Sequence, residues 1–440
     1  MRVCFASYYG LGLWFACGMM QEGHSVDAVI MTDRETEDHF VSETLKGIFT
    51  GQRGDKWVTV EPKDYDLIVF DATHNGQAAD RIRDEVPTIG TSTLATQLED
   101  DRLFGLDFMK RCGLDVPTYE AFDDPADGIR YIKKRNKRLV FKPIGNIHDK
   151  TTTYVSKSPE DMLRFFDVLW RNPKIKQYVL QDYVEGIESA TSAWVNASGY
   201  YAISHDTEVK KLMNGNLGPN TGCSGTLVWM PQRETRLFQK SLKKCLQPLA
   251  EMGYVGPIDL ATICNDDGAW ALEFCPRFTY QGTQLLTRLF PAGLGFADFL
   301  LAIASGRDVP EMQPQFPFCA SVTLSIPPYP NDVSDRYYKE TEGIPVDGIT
   351  EKDLDKFYAW DLRRRDESDE LEVAGISGLI GAPLAVGDTP AQAFEGAYQM
   401  LKHIQVPNAQ YRTDICDESV KRYYQLRENG WLKQEYNAET

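Results

Sequence analysis

The N-terminal stretch fixes the kind of sheet this chain must build. Residues 2–31, RVCFASYYGLGLWFACGMMQEGHSVDAVIM, read as strand, glycine turn, helix and second strand, and Asp66–Asp71 (DLIVFD) adds a short apolar run with acidic ends. An unbroken apolar run suits a strand covered on both faces, as parallel strands are. Strands alternating with helices imply an open α/β sheet with its functional loops at the C-terminal ends of the strands. Ser7–Gly12 is an incomplete GxGxxG, so no dinucleotide site is inferred from it.

From about Leu98 the texture changes. Asp101–Cys112 reads as a helix, and the Val116-Pro117 break opens a region richer in strands. Residues 139–143, 151–155, 178–180 and 190–195 are β-prone through Val, Thr and aromatic content, with a helix-like segment at 159–169 between the middle pair. A Pro-rich break near Pro314 begins the last third, with strands expected at 320–326 and 375–380. There Thr389, Pro390 and Gln392 spell a capping box with proline at the first helical position. Ala393, Ala397, Met400, Leu401 and Ile404 then form one apolar helix face.

Bulk properties exclude several classes. The 440-residue chain, 42% hydrophobic and 25% charged, has the composition of a globular protein with room for several cores. It has no apolar run near the roughly eighteen residues a membrane span needs and no recognisable leader, so the expectation is a cytoplasmic protein. A net charge of −17 argues against nucleic-acid or acidic-membrane partners. The basic cluster Lys133, Lys134, Arg135, Lys137 and Arg138 reads as a solvated helix end. Nine cysteines without a CxxC pair suggest reduced thiols, and the six histidines lack metal-ligand spacing.

Four groups of residues carry chemistry. Lys210–Gly225 (KKLMNGNLGPNTGCSG) places two lysines before a glycine-rich stretch that suits an anionic small molecule, or else an ordinary Gly/Asn-rich connection. Arg102, Lys142 on the apolar strand LVFKP, and Lys150 in the following loop could neutralise a triphosphate. Tyr178–Glu188 (YVLQDYVEGIE) is a strand running into a linker able to bind a base through Gln181, Asp182 and Val184, with Glu188 placed for ribose hydroxyls. Asp259 and Glu273 lie on two strands joined at Asn265-Asp266-Asp267-Gly268, a hairpin that sets two carboxylates near each other, and Arg277 follows. Paired acids need a cation between them, for which magnesium with nucleotide phosphates is suited.

In this order the groups resemble the ATP-grasp superfamily, and within it phosphoribosylamine-glycine ligase. Glu208-Val209-Lys210-Lys211 with Gly218-Pro219-Asn220-Thr221-Gly222 is similar to that family's Asp-His-Lys-Arg…Gly-Pro-Asn-Thr-Gly-Gly signature. Glu273-Phe-Cys-Pro-Arg277-Phe278 is similar to its Glu-Phe-Asn-x-Arg-Phe, and Thr283-Gln284 and Arg412-Thr-Asp414-Ile extend the likeness. The resemblance implies an α/β and α+β multidomain chain. Its expected parts are a Rossmann-like N-terminal domain (1–98), an ATP-grasp core (99–313) with a mobile lid (about 114–187), a C-terminal α+β domain (314–427) and a polar tail (428–440). It also implies ATP with Mg²⁺ or Mn²⁺, and a carboxylate such as glycine joined to an amine such as phosphoribosylamine through an acyl phosphate, as in purine biosynthesis. Arg277 and Lys150 would be catalytic, and Arg102, Lys142, Lys150, Gln181, Asp182, Val184 and Glu188 would hold ATP. Glu208, Lys210, Lys211, Asn220, Thr221, Gly222 and Gly225 would line the substrate side, and Glu273, Asp259 and Cys275 would face the metal. The oligomeric state is left open between monomer and dimer.

The departures cluster. The family's Gly-Asn-Gly-Gly-Arg-Glu-His becomes Ser7-Tyr-Tyr-Gly-Leu-Gly-Leu, its Gly-Pro-Glu loop becomes Asp71-Ala-Thr-His-Asn-Gly, and its flap keeps few glycines in Gly145-Asn-Ile-His-Asp-Lys150-Thr. Cys275 replaces a metal-binding asparagine and is a poor ligand for a hard ion. Two expectations follow: a ligase with an altered acceptor amine, or a nucleotide-binding protein that has lost ligation and serves regulation or scaffolding.

Overall fold

The structure, a computed structural model, describes residues 1–32, 42–54, 57, 60–145, 153–169, 175, 177–309, 312–330, 340–366 and 368–433. Strands β1 (Arg2–Tyr8), β2 (Ser25–Met31), β3 (Arg53–Gly54), β4 (Leu67–Phe70) and β5 (Thr88–Ile89) form a parallel sheet in the order β3-β2-β1-β4-β5. Alternate residues feed opposite cores. Val3, Phe5, Leu67 and Val69 pack with Leu13, Phe15 and Met19 of the helix Leu13–Gln21. Cys4, Ala6, Ile68 and Phe70 pack with Ala79 and Ile82 of the helix Gly76–Ile82. Both faces are covered, as the apolar runs required.

A second, four-stranded antiparallel sheet holds β6 (Tyr119–Phe122), β7 (Leu139–Ile144), β8 (Tyr154–Val155) and β9 (Gln177–Asp182) in the order β6-β9-β7-β8. Its Leu139, Phe141, Tyr178 and Leu180 bury against Ile132, Met162 and Phe166 of the helices Pro125–Arg135 and Pro159–Leu169. Register pairs Lys142 with Val179 and Val140 with Gln181, so these four sit on the other face.

The largest sheet has seven antiparallel strands. In order they are β14 (Ala269–Cys275), β13 (Gly256–Cys264), β10 (Ile187–Asn196), β11 (Gly199–Met213), β12 (Leu217–Trp229), β15 (Phe318–Val322) and the short strand Ala385–Gly387. The last two lie beyond position 313, yet they complete this sheet. Without β15 the long strand β12 would present an open row of backbone donors and acceptors. One face of the sheet is apolar: Ala193, Ile258, Leu260 and Phe274 bury against Leu106, Phe108 and Met109 of the helix Arg102–Arg111 and against Leu246 and Leu249 of the helix Lys243–Glu251.

The capping box at Thr389 forms, with Gln392 N donating to Thr389 Oγ1 at 3.2 Å and Thr389 N donating to Gln392 Oε1 at 3.2 Å. The strand expected at 375–380 begins later, at Leu379. The preceding turn instead donates Ile376 N (2.9 Å), Ser377 N (2.9 Å) and Gly378 N (2.7 Å) to the buried Asp361 carboxylate. No helix among the described residues is long and apolar enough to cross a membrane.

Candidate active site

The opposite face of the seven-stranded sheet is polar because its strands alternate. In β13, Asp259 lies between Ile258 and Leu260; in β14, Glu273 and Cys275 flank Phe274. Pairing of Asp259 with Cys275, Ala261 with Glu273, Ser192 with Asp259 and Ala190 with Asp206 puts all the polar partners on one side. Glu188, Glu208 and Lys210 continue that side along β10 and β11.

Lys210 sits at the centre. Its Nζ is 3.5 Å from Glu208, 3.7 Å from Glu273 and 3.8 Å from Glu188. Burial opposes the ammonium charge, but Glu208, Glu188 and Glu273 together outweigh it and hold Lys210 firmly protonated. Deeper in the same face, burial pushes the Asp259 carboxyl up to about 7, against a 2.7 Å hydrogen bond from Ser192 Oγ, while burial and neighbouring Asp259 raise Asp206 well above the usual range.

The acids at the rim are hard oxygen donors suited to Mg²⁺. Among the described residues no three His, Cys, Asp or Glu side chains close round a metal by themselves. Mg²⁺ characteristically takes one or two carboxylates and completes its shell with phosphate oxygens and water. Glu273, whose side chain is 46% exposed on this face, fits such an ion. Cys275 does not: burial raises its thiol, and a neutral thiol is no ligand for a hard cation.

Facing these acids stand two cations, Lys142 and Arg102. Lys142 on β7 feels Glu273 and Glu188 as well as the like charges of Arg102 and Lys210, and burial lowers it to about 8. Arg102 is the first residue of its helix, whose N-cap Asp101 accepts from Leu103 N and Phe104 N. Its Nε donates to Pro143 O at 3.0 Å, next to Lys142. Gln181, 2% exposed on the same strand face, has a buried Nε2 without a partner. A buried amide donor left open beside two cations fits the base and phosphates of a nucleotide.

Lys142 is charged below about pH 8 and neutral above it. Affinity for ADP is therefore expected to fall about tenfold per pH unit above that point, because only the ammonium pairs with phosphate. Lys142→Arg, charged throughout, should flatten the profile in calorimetric titrations between pH 7 and 10.

Other predicted residues land differently. Arg277 is engaged by Glu99: its Nε donates at 3.1 and 3.0 Å to the two carboxylate oxygens and Nη2 at 2.7 Å to Oε1. Asp182 pairs with Arg135 and its N–H bonds Thr118 O, so it serves the four-stranded sheet. Val184 lies in the linker between β9 and β10, and Lys150 lies outside the described residues.

Lys210–Gly225 is a β-hairpin rather than a glycine loop. Lys211 pairs with Asn220 and Met213 with Leu217 round the turn Asn214–Asn216, with the register shifting between the two pairs. Lys211 Nζ donates to Gly218 O at 3.2 Å. Thr221 Oγ1 donates to Lys210 O at 2.8 Å and meets Ser224 Oγ at 3.0 Å. A Cβ on Gly222 would meet open space, whereas one on Gly225 would lie 2.8 Å from Ile415 and 2.9 Å from Ser321 O. Gly225 is thus a packing residue.

The sequence reading missed Glu99 and Asp206. Asp206, Glu208 and Lys210 alternate with Thr207 and Val209, a period-two signal that was legible. Glu99 had no local signal, since its partner is 178 positions away.

Residues 100–283 match the family described as phosphoribosylglycinamide synthetase, ATP-grasp (A) domain. The chain is 23% identical over 405 residues to phosphoribosylamine–glycine ligase of Streptococcus pneumoniae, covering 90% of this chain and 92% of the relative. The solved phosphoribosylamine–glycine ligase of Thermotoga maritima superposes with a TM-score of 0.72 at 20% identity, over 94% of this chain and 100% of that one. The biotin carboxylase domain of Hydrogenobacter thermophilus 2-oxoglutarate carboxylase, solved with MgADP, ADP and bicarbonate, superposes at 0.60 with 12% identity, over 100% and 99% of the two chains.

Proposed function

We propose that this chain, whose residues 100–283 match an ATP-grasp domain model and which resembles phosphoribosylamine–glycine ligase, is an ATP- and Mg²⁺-dependent carboxylate–amine ligase. The observation that carries the reading is the cleft itself. Carboxylates Glu188, Glu208 and Glu273 round Lys210 face Lys142 and Arg102, with the open Gln181 amide beside them.

In this mechanism Gln181 orients the base, and Lys142 and Arg102 hold phosphate oxygens. Glu273 would hold Mg²⁺, which would supply charge neutralisation for the phosphates when bound. A substrate carboxylate oxygen attacks the γ-phosphorus of ATP, the bond to the bridging oxygen breaks, and ADP departs. The acceptor amine then attacks the acyl carbon of the acyl phosphate, inorganic phosphate leaves, and the nitrogen loses a proton as the amide forms. Arg277, oriented by Glu99, stabilises charge on the transferring group. Closure of the four-stranded sheet over the cleft excludes water, which would otherwise hydrolyse the acyl phosphate.

Glycine and phosphoribosylamine are the substrates the relatives' names suggest. The experiment is ADP release with hydroxylamine as a generic acceptor across a panel of carboxylates including glycine. An ATP-dependent hydroxamate with at least one carboxylate is the expected product. Its absence across the whole panel, with ADP still bound, would instead favour a nucleotide-binding protein without ligation, a reading that the neutral thiol of Cys275 in the asparagine's place supports.

A further inference from the structure

We infer that Cys112 and Cys245 form a peroxide-sensitive thiol pair that closes reversibly to a disulfide where the chain leaves the helix Arg102–Arg111 for the four-stranded sheet. This goes beyond the ligase reading and does not depend on it.

All nine cysteines are free thiols, and these two meet although they are far apart in the chain. Cys112 is the residue that ends the helix Arg102–Arg111, and Cys245 lies in the helix Lys243–Glu251. The turn after Cys112 is fixed: Gly113 takes φ +72°, and Leu114 N donates to Met109 O at 3.0 Å. Lys244 Nζ donates to Gly113 O at 2.8 Å, which brings the residue before Cys245 against the residue after Cys112. Both cysteines pack in one core with Phe108, Leu242 and Leu246, and the Cys245 thiol donates a hydrogen bond to the Cys112 sulfur. Sulfurs within hydrogen-bond reach need little backbone movement to join.

The pair is unequal. Cys112 is half-buried and Cys245 is fully buried. A helix C-terminus disfavours an anion, so the Cys112 thiolate owes its stability to its neighbours. The S–H of Cys245 and the charge of Arg111 hold it below the usual thiol range, against the cost of burial. Burial raises every cysteine outside the pair. A partly exposed thiolate beside a second thiol is the arrangement that a peroxide oxidises selectively.

The Cys112 thiolate attacks one oxygen of hydrogen peroxide, the O–O bond breaks, and the departing hydroxide takes up a proton as water. Cys112 is then a sulfenic acid. The Cys245 sulfur attacks the Cys112 sulfur, its proton passes to the leaving hydroxide, and a second water departs. Two thiols are oxidised to one disulfide and one peroxide is reduced to two waters. Once the Cys112 charge is gone, so is the main cause that holds the proton on Cys245. The new bond adds a covalent tie at the root of the four-stranded sheet, where Asp115 O already accepts Ala271 N at 2.7 Å and β6 begins at Tyr119.

The test treats the reduced full chain with hydrogen peroxide, alkylates it under denaturing conditions and maps its peptides by mass spectrometry. Two of the nine alkylatable thiols should disappear, a peptide linking Cys112 to Cys245 should appear, and dithiothreitol should restore both thiols. In Cys245→Ala, oxidation of Cys112 should run on to the sulfinic acid, which dithiothreitol does not reverse. Cys112→Ala should keep Cys245 alkylatable. No loss of thiols in the wild-type chain, or Cys245 still alkylatable after Cys112 has oxidised, overturns the inference. Neither readout uses turnover, so failure of the hydroxamate test strikes the ligase reading alone.

Discussion

Glu273→Gln is expected to lower kcat about 10²–10³-fold while leaving the fold intact. The substitution keeps the size of the side chain and removes only its charge. That charge faces Lys210 at 3.7 Å and also acts on Lys142 and Arg102 across the cleft. A neutral amide is a weaker ligand for a hard cation, so the Mg²⁺ concentration giving half-maximal rate should rise along with the loss in kcat. Steady-state rates across a Mg²⁺ series, with thermal unfolding as a control, separate the two effects. Wild-type rates at every Mg²⁺ concentration would remove Glu273 from the metal site.

Glu99→Ala carries the largest expected cost in stability. The Arg277 side chain is 9% exposed and Glu99 23%, and their three hydrogen bonds are the partnership that keeps the guanidinium charged. Deleting the acid leaves a buried cation without its counter-charge, which costs about 3–5 kcal/mol. Equilibrium denaturation should register that loss, and Arg277→Met in the same chain should recover most of it, since replacing both partners of a buried pair is often close to neutral. Activity should follow a different pattern. The double variant is expected to be stable and inactive, because Arg277 is then absent from the cleft. Full activity in the double variant would make Arg277 purely structural.

What the sequence disclosed, and what it withheld, follows from the range of the interactions. The parallel sheet was legible because Leu67–Phe70 and Val3–Ala6 are apolar at every position, which only two-sided burial explains. The helix at Pro390 was legible because Thr389 and Gln392 cap it within four residues. Lys142 and Glu273 could be placed on strands from their apolar neighbours. Their meeting across a cleft could not, since it depends on how one sheet closes over another. Lys210–Gly225 was misread as a loop because glycine, proline and asparagine dominate it. The hairpin forms regardless, since Gly215 (φ +70°), Asn216 (φ +58°) and Gly218 (φ +79°) use their left-handed freedom at the turn while flanking residues pair. Glu99 was invisible for the reason that distant ion pairs always are.

The tip of that hairpin is held from the far end of the chain. Arg412, 1% exposed, donates to Lys211 O at 3.0 Å and to Asn216 Oδ1 at 2.8 Å while it grips Asp414 at 2.8 and 2.9 Å. Asp414 Oδ2 in turn accepts Gly215 N at 2.7 Å. The carbonyl of Lys211, the residue after the central lysine, is thus fixed by a residue 201 positions later. A chain that ended before Arg412 would keep the strands that carry Lys210 and its acids and lose the side chain that holds the backbone beside them.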